Sequence, residues 1–242
     1  MRPLLTLAIL FTTTCATVYG QDQSETPKTP KQHHKYFKRS TNMDAAIFST
    51  SVMQRPGNST QLSTVRFTYF FNFGSTYNHN FNDHSGFFLG ASIKNIGFIE
   101  KFGDSTVKHR VYTIGVPVGL KFGNLSHHNY FMVGGGLDLP FNFKEKGFVS
   151  RSHKTKLNEW FSARTPTIMP YVFAGFSVKP GITLKVQYYP GNFLNTSYTN
   201  SNGYKPYAGY NVNLLMFTIG ADLNLMKGMG MKHKSGIKKS MT

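Results

Sequence analysis

Tyr112-Thr113-Ile114-Gly115-Val116-Pro117-Val118-Gly119-Leu120-Lys121-Phe122 alternates with a period of two. Successive side chains of a β-strand point to opposite faces. One face of this stretch is therefore Tyr112, Ile114, Val116, Val118, Leu120 and Phe122, and the other is threonine, glycine, proline and lysine. A tilted strand of roughly 9 to 11 residues crosses a bilayer, so the stretch has the length and the one-sided greasiness of a lipid-facing strand. Seven more stretches are readable as strands, which gives spans near residues 43–53, 64–74, 86–99, 107–122, 130–144, 168–178, 182–189 and 211–225. The breaks between them hold turn chemistry, such as Arg55-Pro56-Gly57-Asn58 and Lys179-Pro180-Gly181. Eight antiparallel strands suffice to close a small up-and-down barrel.

The same parity recurs elsewhere. Phe131, Val133, Gly135, Leu137, Leu139, Phe141 and Phe143 alternate with Met132, Gly134, Gly136, Asp138, Pro140, Asn142 and Lys144. Leu215, Phe217, Ile219, Ala221, Leu223 and Leu225 alternate with Met216, Thr218, Gly220, Asp222 and Asn224, and Val65, Phe67, Tyr69, Phe71 and Phe73 with Arg66, Thr68, Phe70, Asn72 and Gly74. The first and sixth strands alternate less cleanly. A soluble lipocalin-like barrel also alternates, but it would turn the apolar set inward and leave its water face rich in bare glycine. Glycine facing a narrow lumen makes room instead, which favours the transmembrane barrel. Pro117 and Pro140 remove ladder hydrogen bonds and are expected at bulges or bends.

The flanks carry different information. Arg2, the apolar run Leu4 to Phe11 and Val18-Tyr19-Gly20 have the order of a cleavable export signal, too short to span as a helix. The lone Cys15 falls inside it, so disulfides and thiol chemistry are excluded from the mature chain. The expected organisation is a signal peptide at 1–20, a basic flexible periplasmic linker at 21–41, the barrel at 42–225 and a basic periplasmic tail at 226–242. Much of the formal charge of +17 sits on those short ends, while between residues 42 and 226 sixteen basic residues face eight acidic ones. Basic tails alone give only non-specific, salt-sensitive attraction to nucleic acid. An exported chain does not meet it, and anionic lipid or envelope components are the expected contacts.

With both ends of the barrel in the periplasm, the outer loops are residues 54–63, 100–106, 145–167 and 190–210, and the connection 75–85 is long for an inner turn. The lumen is expected to receive Arg66, Lys94, Lys121, Lys185, Asp138 and Asp222 with Phe70, Met132 and Tyr189. An eight-stranded barrel is just wide enough for side chains to fill it, so these form a plug of hydrogen bonds and ion pairs and diffusion through the barrel is not expected. Hydrolytic chemistry needs a serine, a base and an orienting carboxylate. Ser150, Ser152, His153 and Glu159 are the nearest approach, with His153 set among cations that depress its basicity. His33-His34, His127-His128 and His233 lack the partners of a metal site, and Gly134-Gly135-Gly136 lacks the continuation of a phosphate loop. No catalytic residue, cofactor or metal ligand is assigned. Lys144, Lys146, Arg151, Lys154, Lys156 and Arg164, with Trp160 and Phe161, read as a basic aromatic surface at head-group height, suited to lipopolysaccharide phosphates. Residues 191–209, rich in Asn, Ser and Tyr, are suited to hydrogen bonding a saccharide or a protein.

Arg110 to Lys121, Gly86 to Gly90, Tyr130 to Gly136 and Gln187-Tyr188-Tyr189 occur in an order that resembles the Bacteroidetes-type outer-membrane β-barrel proteins, over about residues 42–225. The resemblance implies an eight-stranded OmpA- or PorT-like small barrel in the cell outer membrane, inserted by the barrel assembly machinery and mostly without assigned activity. The chain departs from the family's aromatic ending, for Leu225 and a lysine-rich tail close it. The expected role is a monomeric barrel with a structural, adhesive or envelope-interaction function, possessing no enzymatic activity. It contacts outer-membrane lipid and lipopolysaccharide or an envelope protein. The alternatives are a component of a secretion or transport assembly and, third, a lipid A modifying enzyme.

Overall fold

The computed structural model describes residues 37–149 and 153–224. In chain order the strands are β1 (Phe37–Gln54), β2 (Gln61–Leu62), β3 (Arg66–Asn80), β4 (Ser85–Phe102), β5 (Ser105–Asn124), β6 (Asn129–Val149), β7 (His153–Trp160), β8 (Met169–Val178), β9 (Ile182–Tyr189) and β10 (Asn211–Asp222). Eight of them form an antiparallel ring in the order β1-β3-β4-β5-β6-β8-β9-β10. The ring closes where β1 pairs β10 from Asn42↔Asp222 to Gln54↔Asn211. Short β2 adds to β1, and β7 continues the sheet from the far half of β6. Closure leaves the eight-stranded ring without a free edge, as hydrocarbon surroundings demand.

The expected parity holds through the wall. Ile114, Val116, Val118, Leu120 and Phe122 of β5 face outward, as do Phe131, Val133, Leu137 and Leu139 of β6, and Ile93 is 53% and Val172 54% exposed. Asp138, Lys94, Thr113, Thr218, Gln187 and Ser49 are buried inside. A band of hydrocarbon around a polar axis is the inverse of a soluble core. Glycines of the inward parity serve as sockets for bulky neighbours. A Cβ built on Gly119 would lie 2.8 Å from the Phe88 ring, one on Gly134 2.8 Å from Phe173, and one on Gly136 2.6 Å from Tyr171. The sixth readable strand, β8, alternates poorly in sequence because Tyr171 and Phe173 fill two of those sockets and, with buried Met169, make its inner face apolar too.

Strand ends differ from the expectations where neither face is apolar. The chain is already paired at Phe37, because Phe37 to Thr41 match His79 to Ser75 of an extended β3. This moves residues 37–41 out of the expected linker and shortens the connection expected at 75–85 to residues 81–84, where Asn82 Oδ1 accepts from the His84 and Ser85 amides. In β1 the register shifts between Asp44 and Ala46. Asp44 and Ile47 are consequently both inward, which is why that strand does not alternate cleanly. At the other end β10 stops at Asp222, whose carboxylate accepts the Asn224 amide and turns the chain. The strand does not run to Leu225, a residue outside the described set. The loop expected at 100–106 is a two-residue turn with Gly103 at φ 51°, and 145–160 is largely the β6–β7 hairpin. Both were unreadable as strands because their two faces are hydrophilic.

The prolines behave differently from each other. Pro140 marks the expected bulge, since Tyr112 pairs Asn142 while Thr113 pairs Pro140. Pro117 marks none, for it pairs Gly136 in regular register. On its other side the β4–β5 ladder skips from Leu89↔Val118 to Ser92↔Gly115, so the missing N–H costs a ladder gap rather than a bend.

Candidate functional site

Two charged layers cross the barrel. In the wall, Lys94 Nζ of β4 lies 2.8 Å from Asp138 Oδ1 of β6, and the Tyr189 hydroxyl of β9 donates to Asp138 Oδ2 at 2.6 Å. The ammonium also sits 3.6 Å from the Tyr171 ring centroid. Gly115 and Gly136 face this cluster and leave the space it occupies. Nearer the barrel's terminal end, Lys185 lies 3.2 Å from Asp44, which also accepts from Asn72, and Lys121 donates to Asn78 at 2.9 Å. Between these groups is a cavity of about 90 Å³ lined by Asn72, Lys94, Lys121, Lys185 and Gln187 among others, polar and roomy enough for water.

The second layer lies at the loop end. Arg55 Nε donates to Glu100 at 2.6 Å, and His109 stands 3.4 Å from Glu100 and 3.3 Å from Glu145. The Tyr207 hydroxyl donates to Glu145 and accepts from Arg164, each at 3.2 Å, and Arg164 pairs with Glu159 at 3.0 Å. His109 is three residues beyond Tyr112, outside the lipid-facing span. Burial opposes its charge, but its hydrogen bond to Glu100 and its ion pair with Glu145 outweigh that and raise its pKa above the usual value. Loop 190–210 folds over this layer. Phe193 and Leu194 are fully buried, Phe193 meets Phe98 edge-on at 5.3 Å, and the Phe193 amide donates to Val212 O.

The third feature is an outward face above the belt. Residues directly opposite in an antiparallel sheet share a face. Cross-strand register therefore aligns Arg110 with Lys144 in one row, Lys108 with Lys146 and Lys156 in the next, and Lys101 with Thr106, Phe148 and Lys154 above. Ring contacts agree with that alignment: Lys144 Nζ is 5.0 Å from the Tyr112 centroid, and Lys108 and Lys154 are 5.6 and 5.5 Å from that of Phe148. Tyr112, Phe141 and Trp160 form an aromatic edge below the cations, with Phe141 stacked on Trp160 at 6.0 Å. No carboxylate stands at this parity among the described residues of β4 to β7, for Glu100, Glu145 and Glu159 occupy the opposite one.

Sequence reading brought most of these groups to the right side. Arg66, Lys94, Lys121, Asp138, Met132 and Tyr189 are buried in the lumen, Lys185 and Asp222 reach Asp44 and Ser40 there, and the Phe70 side chain is outside the described set. Asp44 and Tyr171 were missed, the first because of the β1 irregularity and the second because an inward aromatic breaks the pattern. On the basic surface Lys144, Lys146, Lys154 and Lys156 come together, whereas Arg164 does not: it turns inward to Glu159 and Tyr207. Arg151 lies outside the described residues. Lys101, Lys108 and Arg110 were missed because only the register brings β4 and β5 beside β6. Trp160 joins the aromatic edge, and Phe161 is 81% exposed in the turn beside it. Of the hydrolytic candidates, Ser150, Ser152 and the His153 side chain are outside the described set, and Glu159 is engaged by Arg164 and Ser162. Within the 191–209 stretch, Asn192, Asn195 and Asn200 accept from the Leu194, Ser197 and Tyr204 amides, and Asn192 and Asn195 donate to the Tyr210 and Ala163 carbonyls.

These features define a transmembrane β-barrel of the outer-membrane type: a closed even-numbered ring, an apolar exterior, short turns at one end and longer loops at the other. No family model and no curated protein matches the chain. Among solved structures it is similar to Ail, the attachment invasion locus protein of Yersinia pestis crystallised with the heparin analogue sucrose octasulfate, at 14% identity and TM-score 0.36 over 76% of this chain and 97% of that one. It is also similar to Neisserial surface protein A, at 12% identity and TM-score 0.39 over 76% and 96% of the two chains. Both likenesses are distant, and the class rests on the ring and its exterior.

Proposed function

We propose that the protein is a monomeric barrel of the cell outer membrane with a structural, adhesive or envelope-interaction role, its interior plugged rather than conducting. The Lys94–Asp138–Tyr189 cluster supports this most directly, because it joins β4, β6 and β9 across a ring of only eight strands. The buried Phe193 and Leu194 support it from the loop end. Unpaired charges in so narrow an interior would be costly; here Lys94 and Lys185 pair with Asp138 and Asp44, and Lys121 and Arg66 donate to the side-chain amides of Asn78 and Asn95. In the same reading, residues 1–20 are an export signal, the basic ends face the periplasm, and the barrel belongs with the Bacteroidetes-type small barrels and is inserted by the barrel assembly machinery. Its surroundings are outer-membrane lipid, lipopolysaccharide included, and its role is non-enzymatic.

Planar-bilayer recording of the refolded chain tests the plug. Stable insertion without stepwise conductance is expected; regular unitary openings would overturn it.

A further inference from the structure

Resting on the outer-membrane reading, we propose that the outward face of β4 to β7 is a binding site for an outer-leaflet glycolipid bearing phosphate at its head group and further acidic groups on its sugars. Three physical features carry it. The first is like-charge alignment. Lys108, Lys146 and Lys156 stand directly opposite one another across three strands, an arrangement that destabilises a sheet unless an anion lies over it. Arg110 and Lys144 repeat it one row lower, with no carboxylate on the face to relieve either row. Lys146 registers the crowding: Arg110 first, then burial and Lys154, Lys156 and Lys108, lower its pKa.

The second feature is direction. These side chains share the parity of Tyr112 and Ile114, so they point sideways from the barrel, where the lateral neighbour is lipid, and not upward toward the medium. The third is height. Each row is two residues further along a strand tilted near 45°, or about 5 Å higher. The head-group zone extends only about 6 Å beyond the hydrocarbon. The Arg110–Lys144 row, next above the Tyr112–Trp160 edge, therefore meets head-group phosphate, whereas the Lys108–Lys146–Lys156 and Lys101–Lys154 rows stand above any simple phospholipid. A ligand with anions at both levels matches the face; one with a head-group phosphate alone matches only its lowest row. Ammonium and guanidinium groups would hold such phosphates without bridging divalent cations.

The test uses the full chain refolded in detergent, with EDTA present, and reads lipid retained after gel filtration. The probes are a rough lipopolysaccharide with its phosphorylated inner core, diphosphoryl lipid A, phosphatidylethanolamine and soluble inorganic polyphosphate. The expected order is rough lipopolysaccharide, then lipid A, then phosphatidylethanolamine. Lys108→Gln/Lys146→Gln/Lys156→Gln should weaken rough lipopolysaccharide at least tenfold while changing lipid A little. Arg110→Gln/Lys144→Gln should weaken both, and the triple arginine variant of the upper row should retain binding. Equal retention of phosphatidylethanolamine, or unchanged retention by the glutamine triple, overturns the proposal. Polyphosphate binding as tightly as the glycolipid assigns the face to a soluble polyanion and overturns it as well. A heat-modifiable band on gels separates the two levels: its presence without glycolipid preference defeats this site alone, and its absence defeats the barrel reading.

Discussion

Below Tyr112, β5 alternates hydrocarbon with glycine, threonine and lysine; above it, the same strand alternates Arg110 and Lys108 with Val111, His109 and Val107. One strand thus carries two environments in one register. In the lower half the outer parity is greasy because hydrocarbon surrounds it, and charges are confined to the axis. In the upper half the outer parity is cationic, while valines, phenylalanines and the Glu100–His109–Glu145 chain form the inside. The pleat sets which way a side chain points, and the medium at each height sets what it must be.

The largest expected effect comes from unbalancing the lower half. Asp138→Ala leaves Lys94 buried without its carboxylate, and breaking such a pair costs about 3 to 5 kcal/mol. Urea unfolding of the refolded barrel, followed by its heat-modifiable band, should show the loss. Lys94→Met with Asp138→Leu should recover most of it, and a double variant as weak as the single would place the cost in lost packing instead. Next in size is Gly136→Val, which fills the socket of Tyr171 and should cost about 1 to 3 kcal/mol through overpacking; the same assay checks it. No effect would mean that the glycine parity is incidental.

The smallest effect belongs to the upper half. His109 has a raised folded pKa, so its contribution is fully present below the unfolded value of about 6.5 and is lost as pH rises through the folded value. Urea midpoints should therefore fall on the alkaline side, and His109→Gln should flatten that slope. An alkaline fall that persists undiminished in His109→Gln would exclude this histidine as its source.

Legibility in the sequence followed apolar contrast. From Tyr112 to Phe122 every second residue commits to lipid, and the strand, its faces and the lumenal Lys121 follow directly. From residue 145 to 160 both parities are polar, so the alternation has no contrast and a sheet extension reads as a loop. Arg164 shows the opposite failure. Its neighbours in sequence place it with the basic surface, but Tyr207, 43 residues away, and Glu159 draw it inside.

By itself the chain determined an eight-stranded barrel, its lipid face and most of its inner charges, because those depend on a two-residue period that needs no knowledge of partners. Tertiary structure alone decided which charges meet, that Asp44 is one of them, that Phe193 and Leu194 are buried at the loop end, and that seven separated cations form one face. Each of those depends on cross-strand register, a relation between residues far apart that no local pattern contains.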